Sequence, residues 1–232
     1  MSTGKLVWDQ TGERYYEMGV SKGVLYTQKA DGTYNDGVAW NGLTGVTASP
    51  GGADPTDLWA DNIKYASFRA AETFGGTIEA YMAPPEWDTC NGYATPVAGV
   101  SIGQQKRTAF GFCYRTEVGN DTISEGDDGY KLHLVWNATA SPSDSSYETI
   151  NDSPDAITFS WEFDTTPVEV TGFKPTAHIE IDSTKLDTAG KTALATLEAT
   201  LYGTDAVGEG ATASAPTLPS PLEVLTAMGY TA

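Results

Sequence analysis

The sequence is short of the side chains that most enzyme and metal sites require. Only two cysteines and two histidines occur among its 232 residues, too few for a disulfide framework or for a zinc site. Cys90 and Cys113 are predicted to be reduced, half-buried thiols. His133 and His178 are predicted on the polar faces of strands, and no Gly-x-Ser-x-Gly nucleophile motif accompanies them. The sequence therefore predicts neither an enzyme nor a bound cofactor or metal.

Basic residues are also scarce. Thirteen Lys and Arg stand against 31 Asp and Glu, which gives a net charge of −18. Proteins that hold nucleic acid need a basic surface to neutralise phosphates, so we expect no DNA-gripping site. A negative wall would instead suit a conduit, because a polyanion can slide past it without being held.

Long apolar runs are missing as well. No run approaches the roughly 20 residues of a membrane span, and residues 1–8 contain no signal-peptide core. The sequence thus predicts a protein that is made and kept in a cytosol and has no membrane partner.

The acidic residues include one cluster that could attract a cation. Asp121, Glu125, Asp127 and Asp128 lie in a glycine-containing loop. Their order does not match the Asp-x-Asp-x-Asp-Gly calcium loop with its glutamate at position twelve. We expect a solvated acidic turn, with Ca²⁺ binding as the alternative.

What the sequence does contain is period-two alternation of apolar and polar residues, which is typical of half-buried strands. Asp-Gly and Asn-Gly turn signals occur between some of the β-prone segments. We predict a mainly β fold, a sandwich or barrel of two packed antiparallel sheets. The apolar members of the predicted strands are Ile78, Ala80 and Met82; Phe110, Phe112 and Tyr114; Tyr130, Leu132, Leu134 and Trp136; Ile157, Phe159, Trp161 and Phe163; and Ala177, Ile179 and Ile181.

One flanking helix is predicted between Leu186 and Leu201, where leucines recur at helical spacing. Residues 182–184 offer N-terminal capping side chains, and Gly203 supplies the stop. We assign residues 1–203 to a β-sandwich domain. Residues 204–232 are predicted to be a flexible link followed by an extended, proline-rich C-terminal arm that packs either on its own domain or on a partner.

A long loop near residues 48–57 is the main candidate for contact with another protein. Its Pro-Gly-Gly-Ala-Asp-Pro run opposes regular structure, yet Leu58 and Trp59 follow at its base. We expect the loop, its flanks and the C-terminal arm to mediate self-association. The candidate residues are Val46, Pro50, Gly51, Gly52, Asp54, Pro55, Leu58, Trp59, Leu218, Pro219, Pro221 and Leu222.

Several motifs occur in an order that resembles the major tail protein, the tail tube subunit, of long-tailed siphovirus-type bacteriophages. These are a strand-rich arm over residues 8–26, Trp40-Asn41-Gly42-Leu43, Ala60-Asp61-Asn62, Tyr65-Ala66, residues 76–82, Trp87, Asn91-Gly92, Ile181-Asp182-Ser183-Thr184-Lys185, Leu201-Tyr202-Gly203-Thr204 and Leu218-Pro219-Ser220-Pro221-Leu222-Glu223-Val224. Many relatives carry Arg before the late Leu-Pro and Asp before Glu-Val, where this chain has Thr217 and Leu222.

This resemblance implies a structural virion protein that is made in the host cytoplasm. Such subunits form hexameric rings that stack into the tail tube, and double-stranded DNA passes through the lumen without specific binding. The implied protein partners are further copies of the chain, the tape-measure protein and tail-tip or terminator proteins.

The alternative function is a carbohydrate-binding β-sandwich that uses Trp59, Trp87 or Trp136 as a sugar platform. A glycosidase with Glu79 and Glu86 as its carboxylates is a weaker alternative, because paired carboxylates are common in an acidic chain. A sugar-binding module should stay monomeric at all concentrations, whereas a tube subunit should form rings or polymers.

Overall fold

A computed structural model describes residues 4–52, 54–122, 129–150, 152, 155–206 and 212–231. The strands are β1 (Tyr15–Thr27), β2 (Val38–Trp40), β3 (Leu43–Ala48), β4 (Gly51–Gly52), β5 (Pro55–Ala60), β6 (Ile63–Arg69), β7 (Glu72–Thr73), β8 (Gly75–Ala80), β9 (Ala94–Val97), β10 (Val100–Ile102), β11 (Phe110–Asn120), β12 (Gly129–Ala140), β13 (Phe159–Thr165) and β14 (His178–Asp182). The helices are α1 (Trp87–Cys90), α2 (Thr188–Tyr202) and α3 (Pro221–Ala227). The mainly β prediction is confirmed.

The main sheet is antiparallel, with the strand order β2-β1-β11-β12-β13-β8-β3, and β14 also pairs with β12. Strand β12 divides the sheet, because its first half pairs with β14 and its last residues, from Ala138 to Ala140, pair with β13. Asn137, at the division, has a positive φ of 50°. The end strands β2 and β3 are joined by the short turn at Asn41 and Gly42, so the sheet curls into a sandwich.

An aromatic core fills the inside of the sandwich. Trp40 packs against Trp87 at a centroid distance of 4.8 Å and against Trp161 at 5.6 Å. Phe110 and Phe112 from β11 join the same cluster. The predicted alternation is therefore correct for these strands, although Met82 and Ile157 lie beyond the strand ends.

A second core lies on the outer face of β1, β11 and β12. Helix α2 lays Leu194, Leu197 and Leu201 against this face, and the hydroxyl of Tyr26 donates to the carbonyl oxygen of Leu201 at 2.6 Å. The central strands are thus covered on both faces, and the prediction of half-buried sheet is wrong for them. Cys113, expected to be half-buried, is free and fully buried, as is Cys90.

The boundaries of α2 differ from the prediction at its start. Its N-cap is Asp187, whose carboxylate accepts from the backbone N–H of Gly190 at 2.7 Å. Asp182, predicted to cap this helix, instead caps a short 3-10 turn over Ser183–Lys185. Gly203 ends α2 with a positive φ of 76°, as predicted.

The C-terminal segment is only partly extended, which corrects the prediction of one helix and an extended arm. Helix α3 begins with Pro221 at its first position and has a complete capping box between Ser220 and Glu223. Proline is favoured at the first helical position and the capping box satisfies free N–H groups. The predicted mobile link falls partly on residues 207–211, which lie outside the described residues. The division at residue 203 stays a prediction.

Candidate self-association surface

The loop predicted near residues 48–57 is wrong at its end, because residues 55–57 already belong to a β-hairpin that continues to Arg69. Strands β5 and β6 pair from Pro55 and Arg69 up to Ala60 and Ile63. The turn between them has positive φ angles of 49° at Asp61 and 62° at Asn62, which is the geometry of a tight type I′ turn. A proline at the first residue of an edge strand costs no ladder bond. Regular structure is therefore possible here despite the proline and glycine content.

The root of this hairpin extends the sandwich. Gly51 and Gly52 of β4 pair with Thr73 and Glu72 of β7, so the arm continues outward from β3 and β8. Beyond the root, every residue of β5 is exposed, as are nearly all residues of β6.

The hairpin carries large apolar side chains with little of the protein to pack against. Trp59 is 67% exposed. An isolated two-stranded hairpin is at best marginally stable in water, and one exposed ion pair at 2.8 Å between Lys64 and Asp57 adds little. Such a surface is expected to gain stability by packing on a partner. Its large apolar residues are Leu58, Trp59, Ile63, Tyr65 and Phe68.

The predicted association residues fall into two groups, one on or near this hairpin and one near the C terminus. Leu58 and Trp59 lie on it, and Pro55 begins it. Pro50, Gly51, Gly52 and Asp54 are exposed at or near its root, whereas Val46 is partly buried against the inner core.

The other predicted association residues lie near the C terminus and pack mostly on their own chain. Leu218 and Pro221 are buried, and Pro219 and Leu222 are partly exposed. The indole N–H of Trp136 donates to the carbonyl oxygen of Pro219 at 2.8 Å. Gly111 makes room for this segment, since a Cβ there would overlap the side chain of Leu218. In the structure the C-terminal segment therefore belongs to the outer core.

The N-terminal arm is an association candidate that sequence reasoning did not single out. Regular structure begins only at Tyr15, not at Trp8, and Leu6, Val7 and Trp8 all project into solvent, Trp8 with 72% of its surface exposed. Three adjacent large apolar residues before a strand were the available sequence signal. The β9–β10 hairpin presents a smaller exposed apolar set, Val97, Val100 and Ile102.

The two histidines do not lie on a solvated strand face, which corrects the prediction: His133 is buried and His178 is partly buried. His133 is 7% exposed, and its Nδ1 is 3.4 Å from Nε2 of His178. The rings stack between Tyr114 at 4.6 Å and Phe74 at 4.5 Å. Period-two patterning could not reveal this, because Tyr114, His178 and Phe74 come from strands and turns far apart in sequence.

Charged groups surround this histidine pair at its solvent side. Lys131 lies 2.7 Å from Glu17 and 3.2 Å from Glu180. Burial lowers the pKa of His133, and burial together with the adjacent His133 lowers the pKa of His178 to about 4. Hydrogen bonds from Lys131 and Thr116 lower the pKa of Glu17.

Two of the three proposed sugar platforms are closed to a ligand. Trp87 and Trp136 are 2% and 1% exposed, while Trp59 remains accessible. Of the two aromatic residues near Glu79 and Glu86, Trp87 is buried and Tyr81 is exposed. Of the acidic loop, Glu125, Asp127 and Asp128 lie outside the described residues, and Asp121 is 3.5 Å from Arg14.

Within the ranges given above, no group of three or more His, Cys, Asp or Glu side chains is placed to hold a metal ion. Among the same residues, no helix has the length and apolar character needed to cross a bilayer.

Comparison with known proteins gives no family assignment. No protein-family model matches the chain, and no curated protein has significant sequence similarity to it.

Proposed function

We propose that this chain is a structural virion protein, the subunit of a siphovirus-type tail tube. Copies assemble into hexameric rings, the rings stack, and the resulting tube conducts the genome into the host. The proposal rests on the ordered motifs that resemble this family and on a β-sandwich whose projecting parts suit self-association. Further copies, a tape-measure protein and tail-tip or terminator proteins are the proposed protein partners.

The observation that carries the proposal is the β5–β6 hairpin. It presents five large apolar side chains on strands that have no core beneath them. No other strand among the described residues pairs with β5 or β6, so both outer edges of the hairpin offer backbone groups that favour pairing with another chain. A contact between such an arm and a different surface on the next copy is heterologous, and heterologous contacts produce rings or filaments.

The acidic charge supports the DNA-conducting part of the proposal. On β13, Glu162 and Asp164 are exposed while Trp161 and Phe163 are buried, so this strand turns one acidic face outward. A negative wall repels DNA only within about a Debye length, roughly 8 Å at physiological ionic strength. It would prevent adhesion in a wide lumen without blocking passage.

A pair of acid-to-lysine changes tests this role of charge. Particles with Glu162→Lys and Asp164→Lys should assemble normally but release DNA more slowly, and the delay should shrink at high salt. Other groups of acidic residues can be replaced by lysine in the same way. If all variants that still assemble release DNA at the wild-type rate, the acidic charge serves only to keep the protein soluble.

Self-assembly itself is tested with a matched pair of tyrosine variants. Tyr65 on the hairpin and Tyr147 outside it are both 74% exposed, so replacing either with serine removes the same exposed ring. Light scattering after size exclusion and negative-stain microscopy of concentrated protein should show rings or tubes for wild type and Tyr147→Ser. Tyr65→Ser, combined with Trp59→Ser, should shift the population to monomers. A wild-type protein that stays monomeric at all concentrations, with or without a nucleating tail-tip complex, would contradict the proposal.

A further inference from the structure

A largely apolar groove on the outer layer is left empty by the residues that the structure describes. It encloses about 590 Å³ between the turn that follows β1, helix α2 and helix α3. Leu197 and Leu218, both buried, contribute to its lining together with Tyr34. Two charged residues also line it, Lys29 from the turn and Glu223 from α3. The groove therefore offers apolar surface with one positive and one negative group.

The exposed N-terminal arm has a matching pattern of side chains. Lys5 and Asp9 flank the three apolar residues Leu6, Val7 and Trp8. All five are exposed. A tryptophan that enters an apolar groove buries a large surface at a small entropic cost, and the two flanking charges can each meet an opposite charge at the groove.

The arm leaves the sandwich at a fixed point. The N–H of Gly12 donates to Oδ1 of Asp121 at 2.9 Å, and Arg14 lies 3.5 Å from the same carboxylate. Arg14 also donates to the carbonyl oxygen of Asp9 at 2.8 Å. The tether places the arm where β1 begins and β11 ends, because Tyr15 pairs with Asn120.

The groove lies at the other end of the same strand pair. Its residues Lys29 and Tyr34 follow Thr27, the last residue of β1, which pairs with Phe110 at the start of β11. Strand β1 has 13 residues and spans up to about 40 Å at roughly 3.3 Å per residue, somewhat less because its pairing with β11 shifts register between Met18 and Val24. Trp8 lies four positions before Gly12, and a chain of that length reaches at most about 14 Å. The arm of a chain cannot fill the groove of that chain.

We propose that the arm segment from Lys5 to Asp9 of one copy binds in this groove of a second copy, with Trp8 against the apolar lining, Asp9 near Lys29 and Lys5 near Glu223. Because arm and groove lie at opposite ends of β1, the contact is head-to-tail and each copy can both give and receive an arm. Such a contact closes a ring or propagates a filament. The proposal rests on the self-assembly proposed above and names a contact for it that does not involve the β5–β6 hairpin.

Cross-linking between engineered cysteines tests the contact directly. Val7→Cys places a thiol beside Trp8, and Ala227→Cys places one on the groove lining. Both native thiols are fully buried, and burial raises the pKa of each to about 12, so they react little with maleimides. A short flexible bis-maleimide should then join the full-length double variant into a ladder on a denaturing gel, with the cross-linked peptide containing both positions. The control pairs Val7→Cys with Lys106→Cys, an exposed residue outside the groove, and should give little ladder.

The outcomes separate this contact from the proposed function. Rings or tubes that form without the Val7–Ala227 cross-link would overturn the contact and leave the tail-tube proposal standing. Cross-linked chains without rings or tubes under any condition would support the contact and contradict the tube. A cross-link confined to the monomer band would show that the arm reaches its own groove and would overturn the proposal. Absence of both cross-link and assembly would contradict both.

Substitutions then test the chemistry of the contact. Trp8→Ala should raise the protein concentration at which half of the copies are assembled by about tenfold or more. An effect of this size is usual when a buried aromatic anchor is removed from an interface. Tyr147→Ala, which removes an equally exposed ring elsewhere, should leave it unchanged. Asp9→Asn and Lys29→Gln should each weaken assembly, and together they should weaken it no more than either alone, since paired charges are non-additive. Full additivity of these two changes would show that the pair does not form.

Discussion

The β11–β12 pair and the β5–β6 hairpin are both antiparallel, yet they differ in what covers them. Aromatic side chains cover one face of β11 and β12, and helices α2 and α3 cover the other. The hairpin has neither layer, and its apolar side chains face solvent. Apolar strand side chains therefore stabilise the fold where other layers cover them. Where they face solvent, they are available for contact with another copy. The difference predicts that substitutions in the two regions separate stability from self-association.

The largest effect on stability is expected in the doubly covered sheet. Phe112 is fully buried and contacts Trp40 at a centroid distance of 5.7 Å. Phe112→Ala should lower the free energy of unfolding by about 3–5 kcal/mol, because it removes apolar burial and leaves a cavity. Urea titration followed by circular dichroism measures this change. A loss below about 1 kcal/mol would mean that the inner core is less tightly packed than the ring contacts indicate.

The next effect on stability is expected at the His133–His178 pair, which lies near the root of the hairpin. His178 stacks on Phe74, which precedes β8, and its Nε2 lies 3.4 Å from Nδ1 of His133. Glu17 and Glu180 lie beside His133, and Lys131 pairs with both carboxylates. The pKa of His178 in the fold is about 4, below its usual value of 6.5, because of burial. As pH falls from about 6.5 towards 4, the unfolded state gains a proton before the folded state does, so stability is lost across this interval and is constant above it.

Removing the titrating ring at position 178 tests this pH dependence. His178→Phe keeps an aromatic ring against Phe74, so the unfolding free energy measured between pH 5 and 7 should change less with pH than in the wild type. The control is the same variant at pH 7 to 8, where wild type and variant should both show flat profiles. Below about pH 5 ordinary carboxylates add their own slope, and Glu17, whose pKa is lowered, adds to it. Identical slopes between pH 5 and 7 would show that His178 does not titrate as inferred.

The sequence predicted the covered strands well and the projecting parts poorly. Alternation in Phe110, Phe112 and Tyr114 identified β11, since side chains on one strand face share one environment. It could not show that α2 would cover the opposite face, because that contact joins residues far apart in sequence. His133 was misplaced for the same reason.

Local signals for the missed elements were nevertheless present. Asp61 and Asn62 are compatible with a tight hairpin turn, but the predicted loop was placed before them, near residues 48–57, where glycine and proline are concentrated. Ser220, Pro221 and Glu223 contain the capping box and first-turn proline of α3, yet the neighbouring prolines favoured an extended arm. Helix and strand were thus underpredicted in proline-rich segments, because proline was given more weight than the residues that favour helix caps and turns.

A smaller effect is expected at the helix that closes the outer core. The hydroxyl of Ser220 accepts from the N–H of Glu223, and the Glu223 carboxylate accepts from the N–H of Ser220 at 2.8 Å. Ser220→Ala should cost about 1 kcal/mol of unfolding free energy, the usual value for an N-cap. Ser220→Asn, which keeps an acceptor, should restore most of it in the same urea titration. Equal losses in both variants would show that the cap does not hold α3 in place.

The smallest effect on monomer stability is expected in the hairpin. Phe68 is exposed on β6, and removing an exposed apolar side chain usually changes the free energy of unfolding by no more than about 0.5 kcal/mol. Phe68→Ser should therefore melt like wild type when both are held at concentrations where only monomers occur. The same variant should assemble less readily at high concentration, because its apolar surface would be buried only between copies. Phe112→Ala should show the opposite pattern at temperatures where it remains folded, with lower stability and an intact hairpin surface. A large loss of monomer stability in Phe68→Ser would mean that the hairpin packs on its own sandwich, and the contrast between the two regions would then be wrong.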